Sequence, residues 1–291
     1  MTTDVVSRAR SALGESTVTF DCCDTAFLVR AVGRGAPAAA RRARDTAFDL
    51  ERVLDAFDSR SAVSRLNRTG RVDDATVAAV VRRGLDYRER TDGAFDIGAG
   101  ATEARVKEYI AGESSARPGG DVPEESARVS VDGTTVEVDG RLDLNGLAKG
   151  FIVDRAAAEL DGFARTGFVD GGGDISAPTG PVAVESPFGG DRPLRVLDTS
   201  WNVATSSGHR RGRDGVDHIY DPRGGRVGAR HDLVTVVARR DCTEADALAT
   251  TLAALPLADA LSLAEDWSGL EAFVVHDGAF HATTGFSDHV A

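Results

Sequence analysis

The chain has 291 residues, 42% of them hydrophobic, which is enough to bury a sizeable core in one large domain or in two ordinary ones. Its 46 acidic and 34 basic residues give a formal net charge of -12, so the field of the whole molecule repels phosphate backbones and anionic lipid surfaces. We therefore expect no nucleic-acid partner, and we expect one domain because no Pro- or Ser-rich linker divides the chain.

The N-terminal segment, residues 1–16, has neither the continuous apolar stretch of a signal peptide nor a lipobox-like cleavage site. No window approaches the roughly 18 to 20 apolar residues that a membrane helix needs. We therefore expect a cytoplasmic chain without a membrane segment, in which residues 1–16 are mobile and residues 17–291 form the domain.

Hydrophobic periodicity and turn residues predict the elements of the first half of the chain. They are a strand signal at residues 18–32, a helix that starts at Pro37 and runs through Phe57, a polar loop at residues 59–70, a helix over residues 74–90, a helix near residues 101–111 and an exposed loop at residues 112–126. A hairpin is predicted at residues 128–138, because alternating strands flank an Asp-Gly turn.

The second half of the chain is predicted by the same patterns. Its elements are a helix over residues 146–160, strands at 167–170, 181–185 and 194–197, a strand from Leu233, a helix over 243–266, and strands near 272–275 and 279–283. Strands and helices alternate without a regular βαβ repeat. This mixture predicts an α+β fold in which helices cover a mostly antiparallel sheet.

Two residue types are used sparingly. Three cysteines, the adjacent pair Cys22 and Cys23 plus Cys242, show no metal-type spacing, so we expect buried or incidental thiols. Lysine occurs only at Lys107 and Lys149, while arginine carries the rest of the positive charge. This bias, with heavy use of Asp, Ala and Val, resembles the composition of proteins from halophilic microbes, in which most surface carboxylates serve solvation.

Lys149 stands at the start of a predicted helix, where the macrodipole favours an anion and a positive charge is unfavourable. The mismatch indicates that a negative group faces the lysine, and a solvent-exposed lysine is the alternative. An ammonium is a compact point charge, whereas a guanidinium is a wide planar fork. A cramped phosphate or carboxylate site would therefore select lysine in this arginine-rich chain.

Asp246 and Thr250 lie four residues apart on a predicted helix and therefore share one face. Hard oxygens that converge near a helix start suit Mg²⁺. The alternative is structural, with an acidic first turn that satisfies the helix dipole and a threonine bonded back to its own helix. Spacing alone favours the structural interpretation.

Two loop regions are further candidates for a site. The glycine run 171–173, which ends at Asp174, could hold an anion on its backbone N–H groups, although glycines at a strand end usually form only a turn. In the loop-rich region 203–225, His218 could be a general base or a phosphate ligand, whereas a lone histidine is more often structural.

The order of these motifs is more informative than any one of them. In sequence and order the chain resembles the ApbE-type flavin transferases, the FAD:protein FMN transferases, at DAFDSRSAVSRLN, GAFDIG, LDLNGLAKGFIVDRA, VDGGGDI, ATSSG, HIYDPRGG and VTVVARRDCTEADALATTLAAL. The resemblance extends from about Phe20 to the C-terminus. It implies a single ApbE-like, T-fold-like α+β domain that binds FAD in a cleft, with Mg²⁺ on its pyrophosphate.

The resemblance also implies an activity and a set of site residues. FMN would pass from FAD to a threonine or serine of an acceptor protein that carries a flavinylation motif, such as a redox subunit, and AMP would leave. The metal site of the family would fall on Asp246 and Thr250, with the backbone carbonyls of Gly146 and Ala249. The flavin contacts of the family would fall on Cys23, Phe57, Ala94, Phe95, Asp96, Asp143, Lys149 and Ile219. His218 is the predicted catalytic base, and Asp221 is its competitor.

The sequence departs from the family pattern in several motifs. Ile97 and Gly98 stand where the family commonly has Pro-Thr, Gly224 replaces a threonine, and Asn145 replaces a glycine. A tryptophan-glycine pair that usually follows the first of these motifs is missing. The lost hydroxyls bear on turnover and on the choice of acceptor more than on FAD binding, and the altered loops keep open a flavin-binding protein without catalytic activity. A second alternative is hydrolysis of FAD to FMN and AMP, in which water replaces the acceptor hydroxyl in the same site.

Overall fold

The computed structural model describes residues 14–118, 125–190, 192–208 and 212–291. Residues 1–13 of the predicted mobile segment and residues 119–124 of the predicted exposed loop lie outside this description. The first strand begins at Glu15.

Helices and strands alternate along the described residues. The α-helices are α1 (Ala36–Leu54), α2 (Ala62–Thr69), α3 (Ala75–Arg90), α4 (Gly100–Ile110), α5 (Asn145–Ala158), α6 (Cys242–Ala254) and α7 (Leu257–Asp266). The strands are β1 (Glu15–Cys22), β2 (Thr25–Val32), β3 (Arg71–Asp73), β4 (Arg128–Asp132), β5 (Thr135–Asp139), β6 (Thr166–Gly171), β7 (Val182–Val184), β8 (Arg195–Leu197), β9 (Asn202–Ser206), β10 (Gly212–Arg213), β11 (Val216–Asp217), β12 (Tyr220–Asp221), β13 (Arg226–Val227), β14 (Leu233–Ala238), β15 (Leu270–His276) and β16 (Ala279–Ala282).

The strands pair antiparallel in two main groups. One group has the order β1-β2-β6 and the other the order β16-β15-β14-β9. Ile175 joins them, because it bridges to Asp170 of β6 and exchanges backbone hydrogen bonds of 2.7 and 2.9 Å with Val203 of β9. The predicted α+β fold with mostly antiparallel sheet is confirmed.

Three helices cover these strands. α1 packs against β1 and β2, α5 against β6, and α6 against β9 and β14, while α5 and α6 also pack against each other. The covered strand β14 reads LVTVVA and is buried at all six positions. Such a continuous apolar run is typical of a strand that is covered on both faces. None of the described helices is long and apolar enough to cross a membrane.

Polar side chains fix where two of the helices begin. Asp74 Oδ1 accepts two backbone N–H groups in the first turn of α3, at 2.9 and 3.0 Å. Asp241 Oδ1 accepts the N–H of Glu244 at 2.9 Å at the start of α6. Each carboxylate satisfies N–H groups that have no partner within the helix. The predicted start of α3 near residue 74 therefore agrees with the structure.

The strand signal predicted at residues 18–32 is a hairpin. Cys22 pairs with Thr25, and the two residues between them, Cys23 and Asp24, have φ values of 53° and 55°. Two left-handed residues in a two-residue loop match the twist of an antiparallel pair. The prediction missed the turn because neither residue is the glycine or asparagine that usually marks one.

Two further element predictions are wrong. The predicted polar loop at residues 59–70 contains the short helix α2, which Ser61 caps and which ends at Gly70, where φ is 75°. The predicted helix over residues 243–266 is divided into α6 and α7, because Leu255 and Pro256 have extended ψ angles. A proline restricts the residue before it to extended conformations, which ends the first helix there.

Candidate active site

The candidate site forms where α5 and α6 touch. A Cβ atom on Gly150 of α5 would stand 2.5 Å from the carbonyl oxygen of Cys242 and 2.8 Å from Cβ of Asp246. This close approach lets the N–H of Gly150 donate to Asp246 Oδ2 at 2.9 Å. Glycine is needed here because any side chain would push the helices apart. The contact places a buried carboxylate beside the first turns of α5.

Lys149 faces two carboxylates at this junction. Its Nζ forms an ion pair with Asp174 Oδ2 and lies 4.0 Å from Asp246 Oδ1. Asp174 and Asp246 are 1% and 5% exposed, whereas the lysine side chain is 23% exposed. The compact ammonium therefore bridges two buried carboxylates from the accessible side, and this is the negative environment that the sequence predicts for Lys149.

Asp246 is buried, and burial disfavours the charged form of its carboxylate. Burial raises the pKa of Asp246 above its ordinary value, while the charge of Lys149 and the hydrogen bond from Gly150 act in the opposite direction. A second cation beside such a carboxylate would stabilise its ionised form. The electrostatics of the site therefore favour a bound positive charge in addition to the lysine.

The glycine run brings Asp174 to Lys149. Gly172 and Gly173 have φ values of 74° and 105°, and the N–H of Gly173 donates to Asp170 Oδ1 at 2.9 Å. These contacts define a tight turn at the end of β6, in agreement with the simpler of the two predicted interpretations. The turn nevertheless belongs to the site, because it presents the buried Asp174 carboxylate to the lysine.

Gly146, Phe95 and Thr250 meet in the first turn of α5. A Cβ atom on Gly146 would stand 3.0 Å from Cε2 of Phe95 and 3.5 Å from Cγ2 of Thr250. Ala249, which precedes Thr250 in α6, is fully buried. The carboxylate of Asp246, the threonine hydroxyl and backbone carbonyls offer hard oxygen donors. This set fits Mg²⁺, which commonly takes one or two protein carboxylates together with water and substrate phosphates.

Asp154 has a structural role at the same junction. Its carboxylate accepts the backbone N–H groups of Cys242 and Thr243 at 2.8 and 2.9 Å, and the Thr243 hydroxyl at 2.5 Å. Burial raises the pKa of Asp154 to about 6 although these hydrogen bonds oppose the shift. The carboxylate of α5 thus caps α6 and fixes how the two helices meet.

The chain's other lysine is also in an ion pair. Lys107 Nζ pairs with Asp143 and lies 3.2 Å from Glu103 Oε2. Asp143 Oδ1 accepts the N–H of Asn145 at 2.8 Å, and Asn67 holds the residue before Asp143 with two hydrogen bonds of 2.8 and 2.9 Å. Asp143, a predicted flavin contact, is therefore buried and fixed at the start of α5.

Asp96 lies in a second part of the site. It lines a cavity of about 200 Å³ together with Arg88 and Tyr220, and Arg88 Nε is 3.1 Å from Asp96 Oδ2. The cavity brings the GAFDIG motif and the histidine motif together. A Cβ atom on Gly98 would stand 2.2 Å from Ser126 Oγ and 2.8 Å from the backbone carbonyl oxygen of Ala127, so this position has no room for a side chain.

The two candidate bases differ in burial. Asp221 is buried, and its Oδ1 accepts the N–H groups of Arg223 and Gly224 at 3.0 Å each. This carboxylate therefore shapes its own turn, which argues against it as the base. His218 is half-buried in the link between β11 and β12, and the following Ile219 is 1% exposed and belongs to the main core.

The remaining predicted flavin contacts differ in exposure. Phe57 is 63% exposed just after α1, as an aromatic ring that stacks on a flat ligand would be. Ala94 and Phe95 are buried, and the Phe95 ring packs edge-on against Tyr87 with a centroid distance of 6.0 Å. Cys23 is partly exposed in the β1–β2 turn.

A larger cavity, of about 620 Å³, is lined by none of the predicted site residues. Five arginines line it: Arg82, Arg83, Arg90, Arg155 and Arg240. Its charge is largely offset, since Arg83 makes two 2.9 Å bonds to Asp241, and Arg90 and Arg240 each lie 3.7 Å from Glu244. This cavity is an arginine–carboxylate network beside α3 and does not contribute to the candidate site.

Three residues of the candidate site were not predicted to be functional, although Asp174 was noted as the end of the glycine run and Lys107 as one of the two lysines. Asp174, Lys107 and Arg88 each form an ion pair with a predicted site residue. The rarity of lysine was a usable signal for Lys107, because both lysines of the chain prove to be paired with buried carboxylates. No comparable signal marked Arg88, which is one of many arginines.

Comparison with known proteins agrees with the resemblance. Residues 16–274 match the ApbE family. A FAD:protein FMN transferase of Treponema pallidum (strain Nichols) is 31% identical over an alignment that covers 82% of this chain and 78% of that protein. The family match at residues 16–274 includes both the lysine motif and the helix that carries Asp246.

Solved structures share the fold. An ApbE protein of Thermotoga maritima superposes with a TM-score of 0.80 at 23% identity, covering 96% of this chain and all of that chain. The apo form of a Pseudomonas stutzeri flavinyl transferase ApbE gives 0.78 at 22% identity, covering 96% and 98% of the two chains. The flavin transferase ApbE of Vibrio cholerae gives 0.74 at 19% identity, covering 95% and 99%.

Proposed function

Because this chain belongs to the ApbE family, and is a transferase, we propose that it moves FMN from FAD to a threonine or serine hydroxyl of an acceptor protein. AMP is the leaving group, and the reaction depends on Mg²⁺. The acceptor carries a flavinylation motif and is a redox subunit. The observation that supports this proposal best is the group formed by Lys149, Asp174 and Asp246, in which buried carboxylates and one lysine meet at a helix junction.

Charge stabilisation is the main requirement of the reaction. Transfer of a phosphoryl-type group is catalysed chiefly by positioning and by neutralising charge on the phosphate oxygens. Asp246, Thr250 and the carbonyls of Gly146 and Ala249 would hold Mg²⁺, which when bound supplies that neutralisation on the pyrophosphate. Lys149 contributes by holding the carboxylates of Asp174 and Asp246 in place beside the bound nucleotide.

The other predicted residues orient FAD and move a proton. Phe57 stacks on the flavin, while Asp96 and Asp143 anchor the nucleotide from two rigid loops. The acceptor hydroxyl attacks the phosphorus atom of the FMN moiety, and the bond from that phosphorus to the AMP oxygen breaks. His218 takes the hydroxyl proton, since the carboxylate of Asp221 is committed to its own turn.

The test uses the purified full chain with FAD, Mg²⁺ and a polypeptide that carries a Ser/Thr flavinylation motif, in high salt. We expect the acceptor to become fluorescent in a gel and AMP to appear in equal amount. Asp246→Asn should lower the rate at least about 100-fold, as expected for loss of a metal ligand. Asp259→Asn, an exposed carboxylate in the first turn of α7, is the matched control and should keep the wild-type rate.

Other products of this reaction mixture would support one of the two alternative functions. Free FMN and AMP without a labelled acceptor would identify an FAD hydrolase, and bound but unchanged FAD would identify a flavin-binding protein. Full Mg²⁺-dependent activity of Asp246→Asn would contradict the metal assignment. Full activity of His218→Gln would remove His218 as the base.

A further inference from the structure

The side chains of the adjacent residues Cys22 and Cys23, at the β1–β2 turn, bring their sulfur atoms close together. Consecutive residues of a strand point to opposite faces, so neighbouring cysteines normally hold their sulfur atoms apart. Here the left-handed backbone of Cys23, with φ of 53°, turns its side chain back towards Cys22. The two Sγ atoms lie 3.7 Å apart and are not bonded as a disulfide.

Glu51 of α1 completes the group. One oxygen of its carboxylate and the two sulfur atoms all lie within 4.8 Å of one another. The N–H of Cys23 donates to Glu51 Oε1, which holds the carboxylate against the turn. Across the described residues, no other three His, Cys, Asp or Glu side chains converge this closely.

We propose that Cys22, Cys23 and Glu51 form a binding site for a thiophilic divalent cation of the Zn²⁺ and Cd²⁺ class. In tetrahedral zinc sites the Zn–S bond is about 2.3 Å, which places two thiolate ligands of one ion about 3.8 Å apart. The 3.7 Å between the sulfurs of Cys22 and Cys23 matches that spacing without rearrangement of the turn. A ligand set of two sulfurs and one oxygen leaves the fourth tetrahedral position for water.

The exposure of the three side chains suits such a site. Cys22 is buried, while Cys23 and Glu51 are partly exposed. The three ligands therefore lie at the edge of the core, where an ion can reach them from solvent. Binding breaks two S–H bonds, releases two protons to the buffer and forms two metal–sulfur bonds. The charges of two thiolates, one carboxylate and one divalent cation then sum to -1, which a surface-accessible site tolerates.

The cysteine site and the proposed Mg²⁺ site on α6 should select different metal ions. Thiolates prefer Zn²⁺ and Cd²⁺, whereas Mg²⁺ prefers hard oxygen donors such as Asp246 and Thr250. An excess of Mg²⁺ should therefore leave the cysteine site open to a thiophilic ion. The cysteine site does not depend on the proposed transferase reaction, and it can be tested by binding alone.

The first experiment is a titration of the reduced full chain with Cd²⁺ in excess Mg²⁺. We expect one equivalent to bind with the ultraviolet charge-transfer absorption of cadmium thiolates, and Zn²⁺ to displace it. Cys23→Ser should weaken binding at least tenfold, and Glu51→Gln should weaken it while keeping the band. Cys242→Ser, the matched control at the buried start of α6, should bind as the wild type does. Absence of the band in the wild type, or an unchanged band in Cys23→Ser, would overturn the proposal.

A second measurement needs no variant. Alkylation of Cys23 by iodoacetamide, followed by mass spectrometry of the peptide, reports whether its thiol is occupied. We expect stoichiometric Zn²⁺ to slow this alkylation at least tenfold and excess Mg²⁺ to leave it unchanged. An alkylation rate that Zn²⁺ does not change would overturn the proposal even if Cys23→Ser failed to fold.

Discussion

Among single side chains, His231 gives the fold a specific dependence on pH. His231 is 5% exposed, and its Nδ1 lies 3.0 Å from Nδ1 of His276. Burial lowers the pKa of His231 to about 4, and the neighbouring His276 acts in the same direction. Because an unfolded histidine takes up its proton near pH 6.5, the unfolded chain binds more protons below that pH than the folded one.

Stability should therefore fall as the pH is lowered from about 6.5 to about 4, by up to about 3 kcal/mol from this residue alone. Urea unfolding of wild type and His231→Phe at a series of pH values measures the effect. We expect the variant to lose less stability on acidification than the wild type does. His281→Gln, at a partly exposed histidine, should follow the wild-type curve, and parallel curves for His231→Phe would contradict the assignment.

The shape of the cation at position 149 should matter as well as its charge. Lys149→Arg should lower kcat/KM at least about tenfold, because a planar guanidinium cannot replace a compact ammonium between Asp174 and Asp246. Steady-state kinetics of acceptor labelling measure the loss. Arg155→Lys, at an exposed position of the same helix, should have no effect. Wild-type kinetics for Lys149→Arg would show that charge alone matters there.

Among the elements, the contact between α5 and α6 depends on one missing side chain. Gly150→Ala should destabilise the fold by about 1–3 kcal/mol, because the new Cβ would overlap with the Cys242 carbonyl and with Asp246. It should also weaken Mg²⁺-dependent activity, since Asp246 moves with α6. Urea unfolding with activity assays measures both effects. Ala158→Ser adds an atom at an exposed position of the same helix and is the control; an equal loss in that variant would contradict the packing argument.

An element could be predicted where its local sequence pattern agreed with the way the segment packs in the folded chain. α3 and α5 were predicted within two residues of their observed ends, and in α3 the apolar periodicity agrees with the cap that Asp74 provides. The short helix α2 was missed, because its eight polar-rich residues are stabilised by one buried face and two caps rather than by composition. The β1–β2 turn was missed because Cys23 and Asp24 adopt a backbone conformation that residues of their type rarely adopt.

The site was predicted less completely than the elements. Asp246 and Lys149 came from motifs that could be read along the chain, but their partner Asp174 depends on where a glycine turn points after β6 has paired. The Cys22, Cys23 and Glu51 group was missed for a similar reason. Its third member is 28 residues away in sequence, and only the packing of α1 against the hairpin brings it close. Sequence spacing does not record such contacts.

At the level of the whole molecule, FAD and Mg²⁺ should stabilise the folded chain cooperatively. A ligand that binds only the folded state adds about 2.7 kcal/mol when its concentration is 100 times its Kd. We expect FAD with Mg²⁺ to raise the Tm by more than the sum of the separate increments, because the proposed metal site and the proposed flavin contacts both lie at the α5–α6 junction. Differential scanning calorimetry with and without EDTA measures the coupling.

The variant Asp246→Asn provides the control for this measurement. It should keep a shift with FAD alone and lose the extra shift with Mg²⁺. Additive increments in the wild type would place the metal away from the nucleotide.

The order of the site residues along the chain also bears on biosynthesis. Lys149 and Asp174 leave the ribosome well before Asp246, which belongs to a helix made near the end of the chain. Until α6 is complete, the groove at Gly150 has no helix to fill it, and the lysine has one carboxylate partner instead of two. Domains begin to fold from the N-terminus during synthesis. The nascent chain must therefore build its first sheet and α5 before the carboxylate of Asp246 is available at the helix junction.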